Sequence, residues 1–121
     1  VQAVISNMDH PVFYGFADSI YPMKYGQGPI AFRVGVADED RVLARYVGGE
    51  ESVLSGLMTG AENIEGMAFA VDSRPAHNGR GRVLMFANNP MYRWQNHGEF
   101  NLVFNSILNW NDAPEKEEGG G

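Results

Sequence analysis

The stretch Gly79–Trp110, GRGRVLMFANNPMYRWQNHGEFNLVFNSILNW, decides how the chain is read. Within it Arg82–Ala87 is apolar after its first residue and does not alternate, the pattern of a strand covered on both faces in a parallel or mixed sheet. An Asn-Pro turn follows at Asn89 and Pro90. Phe100, Val103, Phe104, Ile107 and Leu108 then fall at i, i+3, i+4, i+7 and i+8, which predicts a helix with a single apolar stripe. Asn96 is placed to cap that helix, and Glu99 to reach back to it in a capping-box arrangement. Asn111, Asp112 and Pro114 end it. A doubly covered strand feeding an amphipathic helix predicts α/β layering.

Working outward, Ile30–Val36 reads as a strand rich in β-branched and aromatic residues, closed by the acidic turn Asp38–Asp40. Arg41–Val47 reads as a second strand ended by Gly48 and Gly49. Ser52–Thr59 carries Val53, Leu54, Leu57 and Met58 at helical spacing, weakened by Gly56 and Gly60. Glu65–Ser73 is a further strand, joined to Arg82–Ala87 by the turn-rich link Arg74–Gly81. Residues 7–29 mix Gly, Pro and Asp with aromatics, a loop-rich lead-in whose rings pack on a core. Residues 1–112 are expected to form one domain, with 113–121 a solvated, disordered acidic and glycine tail.

At 121 residues and 44% hydrophobic, the chain has apolar side chains for one modest core. Its formal charge of -6 and scattered basic residues argue against nucleic acid as a partner. The absence of cysteine excludes a disulfide framework, a thiol nucleophile and a thiolate metal site. No apolar run reaches the roughly 18 residues of a membrane span, and VQAVISNMDH lacks the basic-then-apolar plan of a signal peptide. Because the first residue is not Met, the chain is expected to be a processed product or part of something longer.

Three segments, HPVFYGF (His10–Phe16), SGLMTG (Ser55–Gly60) and Gly79–Leu108, resemble the C-terminal region of secreted bacterial zinc carboxypeptidases related to carboxypeptidase A. The similarity runs over residues 10 to 110, and its most specific part is the ordered Gly-Arg strand, x-Pro turn and His-Gly-x-Phe helix start. In that family the region is similar to class I glutamine amidotransferases. The resemblance therefore implies a flavodoxin-like, partial parallel or mixed sheet with flanking helices. It implies no chemistry. A peptidase zinc site needs a His-x-x-Glu pair, and none of His10, His77 and His97 has Glu three residues on. The amidotransferase triad needs a cysteine, absent here, and a His-Pro-Glu where this chain has Asn89, Pro90 and Met91. The resemblance thus implies a catalytically silent scaffold with no catalytic residues, no metal and no cofactor.

The loop of Tyr92, Arg93, Trp94 and His97 follows a strand, where partners commonly bind in open α/β sheets, and is a candidate partner contact; the favoured reading folds Tyr92 and Trp94 back on the core. His97 and Glu99 have no nucleophile to activate, and capping accounts for Glu99. Asp38, Glu39 and Asp40 lack the spaced ligands of a calcium loop. Gly79-Arg80-Gly81 precedes a strand rather than a helix and so is no phosphate cradle. Asp9, His10 and Asp18 read as ordinary loop residues.

A doubly wound domain normally needs roughly 150 residues or more, so an incomplete sheet with an exposed edge and apolar surface is expected to be covered by a neighbour. The expected function is a non-catalytic protein-interaction domain, a processed fragment of a carboxypeptidase-like precursor. It would serve as an accessory subunit of a periplasmic or membrane-associated complex, respiratory and photosynthetic assemblies among the hosts. The alternatives are a substrate-positioning domain of a zinc carboxypeptidase and small-ligand binding at the strand ends.

Overall fold

A computed structural model describes residues 1–24, 31–73, 82–91, 93, 95–109 and 111–112. Five strands form one sheet: β1 (Ala3–Ile5), β2 (Ser19–Ile20), β3 (Val42–Tyr46), β4 (Ala68–Ser73) and β5 (Val83–Phe86), in the order β2-β1-β3-β4-β5. Every pairing is antiparallel. This overturns the flavodoxin-like expectation. Parallel strands need a crossover, usually helical, whereas β3 and β4 are linked through 3₁₀ turns at Glu50–Ser52 and Ala61–Ile64. The α-helix of the described residues is α1 (Phe100–Leu108), after the last strand. The fold is mainly β, an open antiparallel sheet with one C-terminal helix.

The apolar run 82–87 misled for a definable reason. Leu84 and Phe86 pack against the main core with Leu43, Phe69 and Leu102, while Met85, between them, packs on the opposite side with Val42, Val71, Phe32 and Val34. β5 does feed two apolar clusters. The second cover is the extended segment around Phe32, which makes a single bridge to Ala68, rather than a helical layer. The strand expected over Ile30–Val36 is therefore reduced to that bridge in its described part, and Val36–Arg41 turns into a 3₁₀ helix. No helix forms over Ser52–Thr59; the 3₁₀ turn ends at Ser52 and Gly56 takes a φ of 87°. Arg41–Val47, Glu65–Ser73 and Arg82–Ala87 hold β3, β4 and β5. The tail 113–121 lies outside the described residues.

The helix forms where its periodicity puts it but turns a different face inward. Phe100 and Leu102 are buried, while Phe104, Ile107 and Leu108 are 44%, 65% and 75% exposed. Leu102, Asn105 and Ser106 share the other face, and the Asn105 amide donates 2.9 Å bonds to the carbonyls of Val12 and Tyr14. Asn105 thus staples α1 to the 3₁₀ turn Pro11–Phe13. The capping box is absent too. A 3₁₀ turn, His97–Glu99, precedes α1, and the Asn96 side chain makes no cap bond.

Candidate functional site

Glu99 is buried, and its carboxylate ties together three segments. One oxygen accepts from the Met23 amide at 3.1 Å and from the Asn96 side-chain amide at 2.9 Å. The other accepts from the Asn88 side-chain amide. Asn96 also donates to the Asn89 carbonyl at 2.9 Å, so the exit of β5, the residues after β2 and the start of α1 meet on one acid. Sequence spacing assigned Glu99 to capping, because its partners at 23 and 88 are remote in the chain.

Of the candidate contact loop, Tyr92 and Trp94 lie outside the described residues. Arg93 is exposed and takes a φ of 48°, a left-handed backbone uncommon for a residue other than glycine. His97 is exposed and stacks on the Phe100 ring at 4.9 Å and 18°. It borders a cavity of about 490 Å³ with Phe16, Tyr21, Met23 and Glu99. The Glu99 carboxylate is engaged with Met23, Asn88 and Asn96, so the structure does not assemble a His97–Glu99 dyad.

A second polar cluster was not anticipated. His10, 3% exposed, sits with its Nε2 3.0 Å from Asp72 Oδ2, and Arg82 Nε lies 3.1 Å from Asp72 Oδ1. The Val12 amide donates to His10 Nδ1 at 3.2 Å, which caps the Pro11–Phe13 turn. That bond assigns the proton to Nε2, which donates to Asp72. Both ring nitrogens are thereby used. A general base needs a free lone pair toward its substrate, and His10 presents none in this geometry. The cluster borders a cavity of about 360 Å³ that also touches Leu84 and Asn105. Among the described residues no three His, Asp or Glu side chains gather as a metal site.

Lys24 reaches inward to the core. Its ammonium donates to the Ala87 carbonyl at 2.7 Å and lies 4.6 Å from the centre of the Tyr46 ring. Burial lowers its pKa from 10.5 to about 8, against the pull of Glu99 in the other direction. Burial, with Glu99 adding to it, raises the Tyr46 phenol well above its ordinary 10.0. The two groups act on stability with opposite signs. From about pH 8 to 10 the unfolded chain holds the Lys24 proton that the folded chain has released, so stability rises with pH. Above about pH 10 the unfolded chain loses the Tyr46 proton that the folded chain keeps, so stability falls. Urea midpoints measured across this range should peak near about pH 10. Lys24→Met should remove the rise and Tyr46→Phe the fall; a flat profile in the parent chain contradicts both assignments.

Among the described residues no helix is long and apolar enough to cross a membrane. The outward side of α1, with Phe104, Ile107 and Leu108, is an apolar strip without a covering layer among the described residues. Its neighbours Asn101, Asn105, Ser106 and Asn109 are polar and uncharged. No family model, curated protein or solved structure matches the chain.

Proposed function

We propose that this chain is a non-catalytic protein-interaction domain that docks through the outer face of α1. The observation that carries this reading is the mismatch between the helix's apolar stripe and its exposure. Phe104, Ile107 and Leu108 occupy i, i+3 and i+4, the spacing that normally marks a buried face, and here they meet solvent. An amphipathic helix laid into a groove is a common recognition mode, read through such anchors. The partner is a protein rather than a lipid surface. Interfacial membrane helices carry Lys or Arg on their polar face, and α1 has neither on a chain of charge -6.

Support for the absence of catalysis comes from His10, whose nitrogens are both committed to structural bonds. The resemblance to carboxypeptidase C-terminal regions supports the remainder of the proposal: a processed piece of a larger precursor, serving outside the cytoplasm as an accessory subunit of a periplasmic or membrane-associated assembly. A photo-crosslinking residue at Ile107, in extract of the source cell, should join the chain to one defined protein. The same residue at Val36, 92% exposed on the Val36–Arg41 turn, should not. Ile107→Glu with Leu108→Glu should change stability by less than about 0.5 kcal/mol and weaken association at least about tenfold. A chain that stays at 13.3 kDa with both probes defeats the reading.

A further inference from the structure

We propose that the loop Val53–Gly60 is a second docking surface, fitted to a protein whose apolar pocket is rimmed by Lys and Arg. Between the 3₁₀ turns Glu50–Ser52 and Ala61–Ile64 the chain reads VLSGLMTG, and its large apolar residues divide in two. Met58 packs against the main core. Leu54 is 70% exposed and Leu57 fully so, with Gly56 at a φ of 87° making the bend between them. Single exposed leucines are ordinary on a protein surface, but these two border the same recess and form one patch. The stem beneath them is fixed. Ser52 is buried, its hydroxyl donates to the Gly49 carbonyl at 2.6 Å and its own carbonyl accepts from the Gln2 amide at 2.8 Å. Ala61 and Ile64 are buried on the other side, and the two turns pack on each other. A closed stem lowers the ordering cost of binding through the loop it carries.

Charge decides the occupant. Residues 46–71 contain Glu50, Glu51, Glu62 and Glu65, all exposed, and no Lys, Arg or His. Lys24, which borders the loop, has its ammonium at the Ala87 carbonyl and the Tyr46 ring, and Arg45 pairs with Glu39 and the Gly66 carbonyl. The rim around the two leucines is therefore acidic. A second copy of the chain would set acid against acid, and an anionic lipid surface would be repelled in the same way, whereas a basic rim is complementary. Leu54 and Leu57 filling a pocket would supply affinity, and the four acids would speed the encounter. The flanks of the outer α1 face are uncharged, so the two surfaces suit partners of different chemistry, and neither proposal depends on the other.

The probe is a synthetic amphipathic helix of leucine and lysine, titrated into the full chain labelled with nitrogen-15. A leucine-glutamate helix and a lysine-serine peptide of the same length are the controls. With the leucine-lysine helix, amide shifts should concentrate on residues 50–65, and both controls should bind at least about tenfold more weakly. Leu54→Ser with Leu57→Ser, at exposed positions, should weaken the leucine-lysine helix at least about tenfold while circular dichroism shows the fold intact. Glu50→Gln, Glu51→Gln, Glu62→Gln and Glu65→Gln together should slow association about tenfold and flatten its dependence on salt between about 0.02 and 0.5 M. Ile107→Ser should leave the shifts at 50–65 in place, which separates this loop from α1. Equal affinity for the leucine-glutamate helix, shifts confined to α1, or parent affinity after the two leucine substitutions each overturns the proposal. So does tighter binding to phosphatidylserine vesicles than to the leucine-lysine helix, or self-association of the chain through residues 50–65.

Discussion

Replacing Glu99 with alanine should cost about 3 kcal/mol of stability, read as a lower urea midpoint, because it strands three donors from distant parts of the chain. The Met23 amide, the Asn96 amide group and the Asn88 amide group all end on this carboxylate. Hydrogen bonds to a charged acceptor are worth more than neutral ones, and a buried donor left without a partner costs its full desolvation. Glu99→Gln should fall in between. Its amide group would face a donor unless Asn88 rotates, which sacrifices the contact of Asn88 with the Met23 carbonyl. A loss of about 1 kcal/mol is expected for that variant. Because Glu99 raises the Lys24 pKa, Glu99→Gln should also lower the pH at which Lys24 titrates. An alanine variant within about 0.5 kcal/mol of the parent shows that the acid is not the junction described.

Gly48→Ala should be comparably severe. Gly48 lies just beyond β3 with a φ of 77°, and a side chain there would meet the Glu65 backbone, its Cβ 2.6 Å from Glu65 Cα. Backbone cannot step aside as a flexible side-chain tip does. Left-handed strain and the clash together should cost about 3 kcal/mol. Gly66 supplies the comparison, since its φ is 70° but nothing lies within 4 Å of the position a Cβ would take. Gly66→Ala should therefore lose about 1 kcal/mol, the strain alone. Equal losses in the two variants, by thermal or urea unfolding, show that the close approach of 48 and 65 does not exist.

How much was legible divides along physical lines. Arg41–Val47, Glu65–Ser73 and Arg82–Ala87 announce β3, β4 and β5 because branched and aromatic residues mark extended chain locally. Their direction and order are set by which hairpins close, and no local pattern encodes that. β1 and β2 span three and two residues, too short for alternation to register. The 100–108 periodicity gives a helix, but the inference that its apolar stripe faces the core assumes the core is inside this chain. Asn105 holds the opposite face to Val12 and Tyr14, a bond between residues far apart in sequence.

The candidate site followed the same rule. Arg93 and His97 lie in a loop that motif and position made conspicuous. Lys24, Asp72 and the remote partners of Glu99 were missed, since a lone lysine or aspartate carries no spacing signal. His10 was read as loop chemistry. Its Val12 cap has a local signature, a polar residue ahead of Pro at the first helical position; its Asp72 partner lies 62 residues away and has none.

The longest reach within the sheet is the pairing of Ala3 with Tyr46, whereas α1 reaches back across 93 residues to Val12. Closing so long a loop is entropically demanding, and the burial of Leu102 with the two Asn105 bonds to Val12 and Tyr14 offsets that cost. The domain thus resembles a fastened clasp: the helix whose outer face is the proposed docking surface is pinned on its inner face to the opposite end of the chain.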